Sequence, residues 1–182
     1  YNEIFSKVFL TILLIGGLNL VLIFLAPEII AVLGTSEYKE AVYIIPPVAC
    51  STYLMYLFNC FVNITYFYEE NKKITGASIL AACLNIYLNW LLIPKYGYLA
   101  AAYTTLESYA CLAIMHGFMQ KSTLKKNEIK VNIYHMPVLI SFSVFYIAVG
   151  VSSSFLYDNR WIRYGVLVVL LIVLILKRDI IT

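Results

Sequence analysis

Apolar residues run along this chain in long blocks broken by short polar punctuation. Windows of about 19 residues mark six blocks, at 8–26, 41–64, 74–93, 99–119, 137–157 and 161–176. Blocks of this length predict an all-α, polytopic bundle of about six transmembrane helices joined by short connections. The sixth block has only 16 residues; Trp161 and Tyr164 at one end and Lys177 and Arg178 at the other are its expected interfacial anchors, with some local thinning of the bilayer. Between the first two blocks, Pro27 suits a first helical position, Ile29, Ile30, Val32 and Leu33 form an apolar face, and Gly34 suits a stop. A short interfacial helix is therefore expected within 27–40. The longest polar stretch, Q-K-S-T-L-K-K-N-E-I-K-V-N-I-Y-H-M at 120–136, predicts a loop and an internal boundary. It divides a four-helix part at 1–119 from two additional membrane helices at 137–182.

Composition sharpens this reading. Of 182 residues, 62% are hydrophobic and 13% charged, against about 25% charged in soluble domains. An ordinary soluble domain is excluded, and no room is left for a separate soluble catalytic unit. The net charge of +3 is spread over separate short segments, which argues against nucleic acid as a partner. The cations are more useful for orientation. Lys7, Lys72, Lys73, Lys121, Lys125, Lys126, Lys130, Lys177 and Arg178 fall on one side, and Lys39, Lys95, Arg160 and Arg163 on the other. The positive-inside rule puts the first set, and both ends of the chain, in the cytoplasm. The opening at Tyr1, with an apolar run directly after Lys7, reads as a piece of a longer chain. Residues 8–26 are too long for the apolar core of a signal peptide, and Pro27-Glu28 is no small-residue cleavage site. Cys50, Cys60, Cys83 and Cys111 all sit inside apolar blocks without a close pair and read as packing residues. His116 and His135 stand apart from the cysteines and from any carboxylate cluster, so no zinc or iron site is expected.

Inside a bilayer the polar residues are the informative ones, because each must find a partner or line water. In the second block Thr52, Tyr56, Asn59, Asn63 and Tyr66 recur at helical spacing on one face; Ser78, Ala82, Asn85 and Asn89 do so in the third; Ala100, Thr104, Glu107 and Cys111 do so in the fourth. One reading is that such groups tie helices together, each worth about 0.6–2 kcal/mol. The other is that three adjacent polar faces line a shared hydrated path. Glu107 is the carboxylate nearest the middle of a block, where an acid costs a few kcal/mol unless paired, protonated or solvated. A cavity position would suit it to H⁺ or Na⁺ coupling or to sugar hydroxyls; the plainer reading is a protonated acid bonded to Thr104 or Tyr103. His116, nine positions on, lies half a turn away and is expected to pack. Pro46 and Pro47 either kink the second helix as a hinge or start it. Most tyrosines near the block ends are expected to be interfacial anchors.

Residues 27–119 resemble the C-terminal half of the polysaccharide-biosynthesis flippases of the MATE-like (multidrug/oligosaccharidyl-lipid/polysaccharide) superfamily. The resemblance rests on P-E-I-I-A-V-L-G-T-S-E-Y-K-E-A after the first block, N-K-K-I at 71–74, L-N-I-Y-L-N-W-L-L-I at 84–93 and P-K-Y-G-Y-L-A-A-A-Y-T-T at 94–105. The last stretch is similar to the family's IPKYGxxGAAxxT connection, with Leu99-Ala100 in place of the commoner Gly-Ala. The fifth and sixth blocks look like the two extra helices of longer members.

This resemblance implies a non-enzymatic transporter in a bacterial inner membrane. It would move an undecaprenyl-pyrophosphate-linked oligosaccharide repeat unit outward by alternating access, together with a missing N-terminal half. The substrate path would be Thr52, Tyr56, Asn59, Asn63, Asn85, Asn89, Thr104 and Glu107, with no cofactor beyond coupling H⁺ or Na⁺. No Lys or Arg lies well inside a block to meet the pyrophosphate, so that charge is expected from the missing half, or this chain supplies the sugar-facing wall. The alternatives are a cation-coupled multidrug exporter of the same superfamily, a membrane glycan polymerase or acyltransferase, and a truncated remnant. An enzyme is disfavoured by short outer connections without histidine.

Overall fold

The computed structural model describes residues 2–34, 36–129 and 134–176. They form seven α-helices: α1 Asn2–Phe24, α2 Ala26–Leu33, α3 Ile45–Phe67, α4 Asn71–Tyr96, α5 Tyr98–Lys126, α6 Met136–Ser152 and α7 Arg160–Leu176. Two 3-10 segments, Ser36–Ile44 and Ser153–Leu156, complete the order. The fold is an all-α bundle, as the block pattern predicts. Four helical stretches, Phe5–Phe24, Tyr38–Phe67, Asn71–Tyr96 and Met136–Leu156, are long and apolar enough to cross a membrane. The 29 residues of α5 give ample length, about 43 Å at 1.5 Å per residue, but Glu107, His116, Gln120 and Lys121 dilute its apolar character. With 17 residues, α7 reaches only about 26 Å.

Local chemistry sets the helix ends. Pro27 occupies the first turn of α2, where a missing N–H costs nothing, and the N–H of Gly34 closes the helix on the Ile30 carbonyl. Pro46 and Pro47 likewise lie in the first turn of α3, both fully buried. They stand in the first turn of α3 and not in an interior turn. The 3-10 segment leads directly into them. Pro94 lies inside α4, which continues to Tyr96, so Gly97 alone separates α4 from α5. Its φ of +68°, paired with an extended ψ, is a conformation open to glycine and strained for other residues.

The core is organised around α3. Ile12 and Ile23 of α1, Cys50, Tyr53, Leu57, Cys60 and Phe61 of α3, Ala113 of α5, and Leu139 and Tyr146 of α6 form one continuous apolar cluster. The Tyr53 and Tyr146 rings lie 4.2 Å apart between centroids, and the Tyr53 hydroxyl is 2.8 Å from Ser143 Oγ. Gly150 makes this approach of α6 feasible, because a Cβ there would stand 2.6 Å from Cys50 Sγ.

The expected loop and boundary at 120–136 needs correction. Residues 120–126 continue α5, because Gln120, Thr123 and Leu124 place a buried face against the bundle. Tyr134 is itself buried and donates its hydroxyl to the Cys60 carbonyl at 2.9 Å. Residues 130–133 lie outside the described residues. One core therefore joins α6 to the helices before it.

Candidate functional site

The residues expected to line a path fall into two groups. On α4 and α5 the geometry brings three together. Asn89 donates to Asn85 Oδ1 at 2.9 Å and accepts from the Thr104 hydroxyl at 2.5 Å. A chain of side-chain hydrogen bonds thus crosses the α4–α5 contact. Thr104 is fully buried and shares a second bond with the Ala101 carbonyl.

On α3 the arrangement is different. Cys50, Tyr53, Leu57 and Cys60 face the core, while Thr52, Asn59, Asn63 and Tyr66 are exposed and Tyr56 is half-buried. This polar face turns away from the apolar cluster. Asn59 folds back onto the Met55 carbonyl at 2.7 Å. Thr52 accepts from Asn19 Nδ2 of α1 at 3.0 Å, and the same nitrogen reaches the Ala49 carbonyl at 3.2 Å. Among the described residues, no hydrogen bond ties the α3 face to the Asn85–Asn89–Thr104 chain.

Glu107 joins neither group. It is exposed and makes no hydrogen bond or ion pair among the described residues; Thr104, its expected partner, is engaged by Asn89. Helical spacing carries the Glu107 side of α5 on through Ala110, Ile114 and Phe118, residues that line a groove toward α6. His116 packs as expected, fully buried and stacked on Phe58 at 5.7 Å between centroids. Its two ring nitrogens find no partner. Cys50 and Cys60 are buried packing residues, whereas Cys83 is exposed on α4. No group of three His, Cys, Asp or Glu positioned to hold a metal occurs among the described residues.

Three polar junctions escaped the sequence reading. Asn19, alone in an apolar block, is the partner of α3; an isolated amide at that depth was the available signal. Arg163, assigned to an outer connection, is only 3% exposed. Its guanidinium grips Glu28 through paired bonds of 2.7 and 2.8 Å and also donates to the Phe24 carbonyl at 2.8 Å. The Arg163 bond holds the Glu28 carboxyl below its ordinary range, with help from the Tyr164 hydroxyl. At the opposite end of α3, Glu70 accepts from Lys73 at 2.6 Å, from Thr123 and from Lys126 at 3.0 Å. These bonds, that from Lys73 first, bring its pKa down to about 2. Glu28 and Arg163, and likewise Glu70 and Lys126, are far apart in sequence, and only the fold pairs them.

Comparison of the chain with protein-family models, with curated proteins and with solved structures finds no match.

Proposed function

We propose that this chain forms one wall of a membrane transporter that moves a lipid-linked, undecaprenyl-pyrophosphate-bound oligosaccharide across a bacterial inner membrane. The observation that carries the proposal is the uncovered polar face of α3. Thr52, Asn59 and Asn63 stand exposed on a helix whose other face is the centre of the core. Amides at membrane depth are costly against lipid and call for a facing protein wall or a water-filled path. A path bordered by amides and hydroxyls without cations would suit neutral sugar groups, which accept and donate hydrogen bonds together. The likeness of residues 27–119 to the polysaccharide flippases agrees with this reading. Glu107 lies to one side of the Asn85–Asn89–Thr104 chain, so the amides rather than this carboxylate are assigned to the glycan.

The test is extraction of lipid-linked saccharides from cells with and without the gene, with mass analysis and a measure of leaflet accessibility. Loss of the gene is expected to leave complete repeat units on the cytoplasmic side. Asn59→Leu with Asn63→Leu is expected to do the same at normal protein abundance, while Glu107→Gln retains export. An unchanged lipid-linked pool and surface glycan would overturn the reading.

A further inference from the structure

A groove runs between α5 and α6 with α3 as its floor. Its volume is about 300 Å³. It is hollow because α5 presents Ala110, Ala113 and Gly117 at spacings of three and four, one helix face of small residues, while Ile114, Phe118 and Val144 form its rims. Phe118 and Val144 are 70% and 62% exposed, so the groove opens sideways along its length. Its lining is apolar except for Ser143 and, at one end, Lys121. Ser143 is already bonded to Tyr53 and to the Leu139 carbonyl.

Length and charge together identify an occupant. The lining runs from Ala110 to Lys121 on α5 and from Met136 to Ile147 on the antiparallel α6. The eleven residue-to-residue rises along each helix cover about 17 Å, close to one leaflet of a hydrocarbon core about 30 Å thick. Lys121 marks the interfacial end. It is exposed and makes no ion pair among the described residues, and a lysine at this depth carries its ammonium to the headgroups. The same end holds the start of α6, whose first turn contains no acidic residue and whose dipole favours an anion there. At the far end the lining stops at Ala110 and Ile147.

We propose that this groove binds one acyl chain of an anionic phospholipid, with the lipid phosphate held at Lys121. A zwitterionic lipid would present a cationic group beside its phosphate and gain less there. A polyprenyl chain is much longer than one leaflet and would extend well past the last lining residues, Ala110 and Ile147. The inference rests on the membrane location of these helices and is independent of the transport reading.

The test is native mass spectrometry of the full protein released from nanodiscs of equimolar phosphatidylglycerol and phosphatidylcholine with identical acyl chains. Retention of phosphatidylglycerol is expected to exceed that of phosphatidylcholine by about fivefold, the effect of one basic residue at an anionic surface. Lys121→Gln is expected to bring the two lipids near parity. Val144→Trp, which fills the groove from an exposed rim, is expected to abolish retention of both, and Lys125→Gln, outside the groove, to leave the preference intact. Equal retention of both lipids by the unaltered protein overturns the proposal. So does a Lys125→Gln effect as large as that of Lys121→Gln, undiminished retention in Val144→Trp, or displacement of phosphatidylglycerol by equimolar polyprenyl phosphate.

Discussion

Removing the carboxylate charge at Glu28 is expected to loosen α7 more than removing the guanidinium it holds. Arg163 is 3% exposed and Glu28 34%, so the two ends of the pair have unequal access to water. In Glu28→Gln the buried cation keeps only the Phe24 carbonyl as a full-strength partner. Stranding a fully buried charge costs about 3–5 kcal/mol; the partial exposure of Glu28 lowers the expected loss to about 2–3 kcal/mol. In Arg163→Met the carboxylate turns to water and to the Tyr164 hydroxyl, and the apolar side chain fills the space beside Tyr157. Replacing a buried charge by an apolar group of similar volume is often nearly neutral, and about 1 kcal/mol is expected. Amide hydrogen exchange in α7 reads the difference. It should accelerate roughly thirty- to 150-fold in Glu28→Gln and about fivefold in Arg163→Met. The pH dependence gives an independent check. Because the folded pKa of Glu28 is lowered from 4.5, its contribution is complete above pH 4.5 and fades as pH falls through the folded value. Glu28→Gln should remove that acid-side loss. Equal or greater exchange in Arg163→Met would refute the argument.

Three further expectations concern single positions. Gly150→Ala should lower thermal stability by about 1–3 kcal/mol through overpacking, since its new Cβ would meet Cys50 Sγ at 2.6 Å, and Cys50→Ala in the same chain should restore most of the loss. Gly97→Ala should cost a similar ~1–3 kcal/mol from backbone strain alone, because open space surrounds a Cβ there while φ is +68°; rescue of Gly97→Ala by any neighbouring truncation would contradict this. Glu70→Gln should expose the end of α5 and speed tryptic cleavage at Lys125 and Lys126. Read by amide hydrogen exchange at the end of α5, the unaltered protein should lose this protection only as pH falls from 4.5 toward about 2, the folded value, and protection unchanged in Glu70→Gln would show that the junction is dispensable.

Much of the fold could be read from the sequence, because long apolar blocks and proline positions act locally. The block pattern finds the helices at Phe5–Phe24, Asn71–Tyr96 and Met136–Leu156, and Pro27 with Gly34 marks α2 almost to the residue. The ambiguity at Pro46 and Pro47 was real: a missing N–H is harmless in a first turn and disruptive in a third, and only the observed start at Ile45 decides between them. The polar stretch at 120–136 misled because charge density reports exposure and not secondary structure. In α5 the lysines 121, 125 and 126 alternate with buried Gln120, Thr123 and Leu124, so a solvated face disguised a continuing helix.

The polar faces show a deeper limit. Helical spacing established correctly that Thr52, Asn59 and Asn63 share one side of α3, and that Asn85 and Asn89 share one side of α4. Spacing fixes a residue's angle about its own helix axis but leaves open how each helix is turned toward its neighbours. That rotation is set by packing: Tyr53 against Tyr146, and the close approach of Gly150 to Cys50. These contacts turn the amides of α3 away from the core, while Thr104 meets Asn89 across the α4–α5 contact. Glu107, only three residues from Thr104, is rotated by about 60° and falls on the flank that leads to the α6 groove. A shared polar path would need a surface beyond these residues to face α3, and the uncovered amides specify its chemistry: hydrogen-bonding, uncharged and hydrated.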